Sequence, residues 1–367
     1  MSGPLFLGAE IYRGSSYGAW HPLRVPRVST VMDLCRVLGW LPAERYRTSP
    51  RAKPAALQAF HDADYIAALA RAEARQAVTE DERARYRLGT TANPVFPEMF
   101  RRPATAAGAS ILAGELLRDG GVVYSPAGGT HHGMPGYANG FCYLNDPVLA
   151  MLSLRRVGVR RIAYVDIDAH HPDGVEAAFS DDPEVLLLSV HEERRWPFTG
   201  ALEERGAAGQ VFNLPVPRGF NDAEMRMVRE ALIEPAVARF RPDAVVLQCG
   251  ADALAEDPLS RLALSNGALW AVVAALRSLS PRFLVLGGGG YNPWTVCRYW
   301  AGMWGMLTGQ AMPERLPQEA ADLLRRMECD LIDEDEVDEA WFSTLVDVPH
   351  DGPVSDAVVS VARQVVS

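Results

Sequence analysis

Short apolar runs alternate along the chain with longer stretches whose apolar positions recur at helical spacing. Residues 6–11, 121–125, 161–168, 185–190, 244–249 and 283–287 read as strands. Most are continuous in Val, Ile and Leu rather than alternating with polar residues, as expected of strands covered on both faces. Between them, residues 55–73, 104–119, 147–157, 222–240 and 266–278 carry helical periodicity. Asn221 or Asp222 is placed to cap one of these helices, and Ser265 or Asn266 another. Strand and helix in alternation imply a parallel sheet flanked by helices. Residues 75–98 break the rhythm and read as a long loop, Arg-rich first and then rich in Gly, Thr, Asn and Pro. The acidic stretch 328–339 runs into Trp341 and Phe342, the pattern of a solvated face ending in a packed helix.

Composition narrows the class. The 367 residues are 48% hydrophobic and 22% charged, ordinary for a globular chain, and long enough for one large α/β domain or two smaller ones. Acidic residues outnumber basic ones, 46 to 36, for a net charge of −10. That balance argues against general nucleic-acid or anionic-membrane binding and leaves a protein or peptide substrate open. The five cysteines are scattered, with no CxxC pair, so reduced thiols are expected rather than a disulfide framework or a cysteine zinc site. Residues 1–8 lack a basic region followed by an apolar run, and no apolar stretch has a membrane-spanning length, so a cytoplasmic protein is expected.

The unusual residues gather where the strands end. His131-His132, Asp166/Asp168/His170, His191, Asp252 and the run Gly287–Tyr291 each follow a strand, and open parallel sheets bind ligands beyond the carboxyl ends of their strands. In Asp166-Ile167-Asp168-Ala169-His170 the two-residue spacing puts three polar groups on one side of an apolar strand. Such a load is expensive to bury without a cation or hydrogen-bond partners. Asp168 and His170, with Asp252 from another strand end, form a candidate ligand set for zinc, with ferrous iron competing because the set is rich in oxygen. An imidazole of the His131-His132 pair could move a proton between water and a leaving amine, with Asp166 and Asp173 accepting the rings' other N–H groups. Tyr291, after four glycines, could donate its hydroxyl to a carbonyl becoming an oxyanion. Singly, each has a plainer reading: a satisfied histidine pair, a helix-capping Asp252, a tight glycine turn, a buried His191. His21, His61 and His350 carry no chemical signal. Together, on consecutive strand ends, the features favour a metal hydrolase.

The segments GGTHHGMPGYANGFCYLND, YVDIDAHHPDGVEAAF, LSVHEERRWPFTG, QCGADALAEDPL and LGGGGYNPW resemble, in order, the motifs of the histone deacetylase family. The match runs from His21 to about residue 345, nearest to bacterial class-I-like members such as acetoin-utilisation proteins. The resemblance implies the arginase/deacetylase fold, a single domain over residues 1–367 around an eight-stranded parallel sheet. It implies a metal held by Asp168, His170 and Asp252, with His132 as general base then acid and Asp173 supporting it. It implies His131 paired with Asp166, and Tyr291 polarising the acyl carbonyl. Gly140, Phe141, Trp196, Leu259 and Gly289 would line the acyl-lysine tunnel, and Arg27 would help acetate leave. A structural potassium ion would take Asp166, Ser189 and the main chain of Asp168, His170 and Val190.

Three departures stand out. Ala92 replaces an acid that in most members holds the substrate backbone, Pro172 replaces a common glycine, and Trp196–Gly200 reads WPFTG where FPGTG is commoner. These departures bear on substrate choice rather than on the chemistry, and the activity that the resemblance implies is removal of acetyl groups from acetyl-lysine in proteins or peptides. Acetylpolyamine hydrolysis is the alternative, with Leu259 against it and Ala92 for it, and a catalytically idle acyl-lysine binder is the reading from another class.

Overall fold

In the computed structural model, which describes residues 3–366, eight strands form one sheet. They are β1 Leu5–Gly8, β2 Tyr46–Thr48, β3 Gly121–Ser125, β4 Ile162–Asp166, β5 Val185–Glu192, β6 Val211–Val216, β7 Ala244–Gln248 and β8 Arg282–Leu286. Their order is β2-β1-β3-β8-β7-β4-β5-β6, and every pairing is parallel. Met1, Ser2 and Ser367, the ends of the expected domain, lie outside the described residues. Six strands are the apolar runs of the sequence; β2 and β6 carry no such signal. Both are edge strands, where half the ladder is free, so the short polar YRT and the Pro215-containing VFNLPV are tolerated there.

The two-residue period of the strands divides the core. Val245 and Leu247 of β7, with Ala163 and Val165 of β4, pack on one face with Trp300, Trp304, Val31 and Leu269. Ala244, Val246, Ile162 and Tyr164 face the other side, among Ala109, Ala113, Leu154 and Val175. The first layer is built by helices Arg27–Val37, Asn266–Arg277 and Pro293–Thr308, the second by Arg101–Leu116, Asp146–Arg156 and Asp173–Phe179. With both faces covered, the central strands have to be apolar throughout.

Several helices depart from expectation. The stretch 55–73 is two helices, Pro54–Leu57 and Ala63–Arg75. The break lets His61 accept the Asn145 N–H (2.9 Å) and the Asp62 amide donate to Pro135 (2.9 Å), tertiary bonds that a continuous helix would forbid. The supposed loop 75–98 contains helix Glu80–Tyr86, opened by a reciprocal Thr79–Glu82 capping box whose signature stands in the sequence. The helix expected over 222–240 is interrupted by a π-helical turn, Arg229–Ile233, just before Pro235 removes a backbone donor. Asn221 and Ser265 are the actual caps. Helix Pro293–Thr308 escaped periodicity because nearly all of it is buried, leaving no polar stripe. Among the described residues no helix is long and apolar enough to cross a membrane.

Residues after the last strand close over this layer. Trp341 and Phe342 are buried in helix Ala340–Ser343, with Trp341 stacked on Trp294 at 5.6 Å. Arg298, only 2% exposed, donates to the Thr344 carbonyl (2.6 Å) and pairs with Asp347 (2.7 Å). Removing one member of a buried pair strands the other. Arg298→Ala is therefore expected to cost about 3–5 kcal/mol in urea unfolding; a loss below about 1 kcal/mol would show that the pair does not anchor this segment.

Candidate metal centre

Strands β3, β8, β7 and β4 are neighbours in the sheet, and their carboxyl ends carry the candidate residues. Asp166 is the last residue of β4, and Asp168 and His170 follow it; Asp252 lies just beyond β7, Tyr291 beyond β8 and the histidine pair beyond β3. His191, expected after its strand, is instead inside β5. Its ring is satisfied by Ser189 Oγ (2.8 Å) and the Gly200 carbonyl (3.1 Å), which is the plainer reading of that residue.

Asp168, His170 and Asp252 converge. Their ligand atoms lie within 4.8 Å of one another and all three side chains are buried. His170 Nδ1 stands 2.9 Å from Asp252 Oδ2 and 3.3 Å from Asp168 Oδ1. Burial disfavours a charged ring, yet these carboxylates push His170 up to about 10. A pair of buried carboxylates around one imidazole is a donor set of the right charge and composition for a divalent cation. Backbone amides fix the carboxylates: Gly289 donates to Asp168 (2.8 Å), and Ala169 to Asp252 (3.0 Å). Gly289 can be nothing else, since a Cβ there would sit 2.0 Å from Asp252 Oδ2.

The histidines face each other beside this group. His131 Nδ1 donates to Asp166 (2.8 Å), and His132 Nδ1 to Asp173 (2.7 Å). With both Nδ1 atoms donating to carboxylates, the 2.8 Å contact between the two Nε2 atoms needs one shared proton. Burial opposes charge on both rings. At His131 the Asp166 and Asp168 carboxylates prevail and raise it to about 9. At His132 burial wins, reinforced by charged His131, and lowers it to about 3. The pair is thus one cationic and one neutral imidazole.

Residues that carried no signal hold the histidine loop. The buried Asp146 carboxylate accepts the amides of Gly129 (3.0 Å) and Thr130 (2.8 Å) and the hydroxyls of Thr130 (2.5 Å) and Ser110 (2.6 Å). Asn145 donates to the carbonyls of His131 (3.1 Å) and Gly133 (2.9 Å) while capping its own helix. Gln248 bonds the Gly129 carbonyl (2.8 Å). Asp257 accepts the Tyr291 amide (2.6 Å) and so fixes the last loop. An Asn-Asp-Pro helix start was visible at 145–147, but its tertiary partners were not.

Two pockets meet at the centre. The outer one, about 690 Å³, is lined by Gly140, Phe141, Trp196 and Leu259 together with His132, His170 and Tyr291. The Trp196 ring lies 4.6 Å from that of His132, and a Cβ on Gly140 would strike it at 2.1 Å. The inner compartment is about 70 Å³, room for a few waters or a two-carbon group. Its lining includes Gly289, which the sequence placed in the tunnel, and Arg27, which donates to the Gly290 carbonyl (2.7 Å). Arg102, unremarked in the sequence, lines it too, bonded to the Ser15 carbonyl (2.6 Å). Among the described residues neither arginine has a carboxylate partner. Asp166 and Ser189 are in register on adjacent strands, with Val190 next along.

The chain is similar to known proteins over most of its length. The family model described as the histone deacetylase domain matches residues 21–307. The acetoin utilization protein AcuC of Bacillus subtilis is 30% identical over 332 residues, 87% of this chain and 86% of that protein. Histone deacetylase 3 of Oryza sativa subsp. japonica is 36% identical over 311 residues, 82% of this chain. This chain spans only 60% of the rice protein's length and 61% of a similar Caenorhabditis elegans protein. Among solved structures, an HDAC homolog from Aquifex aeolicus has a TM-score of 0.95 at 36% identity over 100% of both chains. A complex of an HDAC homolog with SAHA gives the same values.

If the three converging residues hold one cation, protein loaded with zinc or ferrous iron retains about one equivalent by elemental analysis. Asp252→Ala should weaken retention at least about 100-fold, whereas Asp173→Asn, which bonds His132 and none of the three, should keep the ion. Equal retention by Asp252→Ala and the parent would show that the ion sits elsewhere.

Proposed function

The chain belongs to the histone deacetylase family, and on that premise we propose that it is a metal-dependent deacylase removing acetyl groups from acetyl-lysine in proteins or peptides. The observation that carries the proposal is the pair of carboxylate-backed histidines, Nε2 to Nε2 at 2.8 Å, beside a buried Asp–His–Asp group and Tyr291. Asp168, His170 and Asp252 would hold zinc or ferrous iron, and either ion would supply Lewis acidity for the amide carbonyl and the attacking water. A monovalent potassium ion at Asp166, Ser189 and the main chain of Asp168, His170 and Val190 belongs to the same proposal. The catalytic domain is taken to include the whole of residues 1–367, in a protein of the cytoplasm.

The remaining chemistry falls to side chains. Phe141, Trp196 and Leu259 wall the outer pocket and suit the aliphatic stem of a lysine. His132, neutral and oriented by Asp173, takes the proton of the attacking water and returns it to the leaving amine. His131, kept cationic by Asp166, balances negative charge as it develops. Tyr291 is raised well above its ordinary value, chiefly by burial, and so stays a phenol able to donate to the carbonyl oxygen. The departing carboxylate finds Arg27, and Arg102 near it, in the inner compartment.

Acetate release from an acetyl-lysine peptide and from acetylated polyamines, measured side by side with zinc- or iron-loaded protein, tests this reading. Peptide turnover is expected, lost in Asp168→Ala and reduced about 10²–10³-fold in kcat by Tyr291→Phe. Preferential polyamine turnover would favour the alternative substrate. Peptide binding that is indifferent to Tyr291→Phe, with no release, would mark an idle binder.

A further inference from the structure

The outer pocket opens to solvent through a rim of unusual charge. Its lining includes Arg87, Arg194 and Arg195 and, among the described residues, no carboxylate. Arg195 is neutralised by buried Glu192, 2.6 Å away. The other two are not. Arg87 lies over the Tyr137 ring at 4.1 Å and reaches Asn139 at 3.3 Å, with no acid in ion-pair range. Arg194 is exposed and, among the described residues, has neither hydrogen bond nor ion pair. The nearby acids are engaged: Asp173 by His132, and Glu204 by the amides of Gly200 and Ala201. Glu193 is exposed beside Arg194 in sequence but does not line the pocket. Ala92, also on this rim, adds no charge, and its carbonyl lies 3.2 Å from His21 Nε2.

Apolar surface accompanies the charge. Phe198 is 74% exposed and Trp196 37%, both on the same rim. Exposed aromatics beside uncompensated guanidiniums form a surface that waits for a partner. In a protein of net charge −10 this is a local reversal of sign, and charges within about 10 Å of an arriving ligand act on it before contact.

From this rim we infer that the substrates are acetyl-lysines flanked by acidic residues, rather than basic tails or polyamines. The inference rests on the deacylase reading and specifies its substrate class. Arg87 and Arg194 pair with Asp or Glu side chains on either side of the acetyl-lysine, while Phe198 and Trp196 cover the adjoining backbone. A polyamine finds no carboxylate for its second ammonium, and a lysine-rich tail meets like charge on both sides.

The probes are three acetyl-lysine peptides identical except for Glu, Gln or Lys on both sides of the modified residue, together with monoacetylated putrescine. They are given to the metal-loaded protein, and both anisotropy-detected peptide binding and acetate release are read. The Glu peptide is expected to exceed the Lys peptide about tenfold in affinity and kcat/KM at low salt, with the gap closing at about 0.5 M salt. Arg87→Glu and Arg194→Glu, exposed changes checked for unaltered thermal unfolding, should each shrink the gap about threefold, and together abolish it. A Glu peptide that binds no better than the Lys peptide, undetectable binding included, overturns the inference. So does a preference that persists unchanged in the double variant. Binding without release contradicts the deacylase reading instead, while the anisotropy ratio still decides the charge preference.

Discussion

Asp166, Asp168 and Asp252 are 0, 1 and 0% exposed within one small region of the molecule. Carboxylates leave water on such terms only if donors or positive charge replace it. Much of the surrounding structure answers that demand. Amides of Ala169, His170 and Gly289 turn inward to Asp252 and Asp168, and the Asp168 amide to Asp166. Two imidazoles lean on the same acids and are held cationic by them. Burial alone would raise all three acids. Asp168, facing His131 and His170, is nevertheless driven far below the carboxylate range, while Asp166 and Asp252 stay raised. Two buried imidazolium groups set against three buried acids leave a place suited to a divalent ion.

The sheet makes this concentration possible. Four adjacent parallel strands end on the same edge, so four loops are delivered together without any long excursion of the chain. The loop after β3 then has to be pinned, because its two histidines must meet nose to nose. Asp146, Asn145, Gln248 and His61 perform that task from behind.

How much of this the sequence disclosed follows the same physics. Strands apolar on both faces stood out as short Val-, Ile- and Leu-rich runs, too short for a buried helix and bounded by turn residues. The metal-binding candidates were legible for the opposite reason: Asp166-x-Asp168-x-His170 contradicts its apolar surroundings, and only a cation or dense hydrogen bonding explains it. Edge strands β2 and β6, half free of partners, need no such pattern and gave none. The buried helix Pro293–Thr308 has no polar face to set a period. Asp146 and Arg102 were illegible because an acid at a helix start, or an arginine on a helix, is ordinary until its tertiary neighbours are known. Their work depends on residues far away in the chain: Asp146 on Gly129, Arg102 on Ser15.

If a divalent ion balances the buried charge at Asp168, His170 and Asp252, the fold depends on it. Thermal unfolding of the parent protein, scanned as prepared, after chelation and after reloading with zinc or ferrous iron, tests it most directly. A bound ion stabilises the folded state by its binding free energy, about 4 kcal/mol at a thousandfold excess over Kd. A midpoint several degrees lower after chelation, restored by either ion, is expected. An unfolding curve that is the same in all three states would contradict it, because the cluster would then be stable on hydrogen bonds alone.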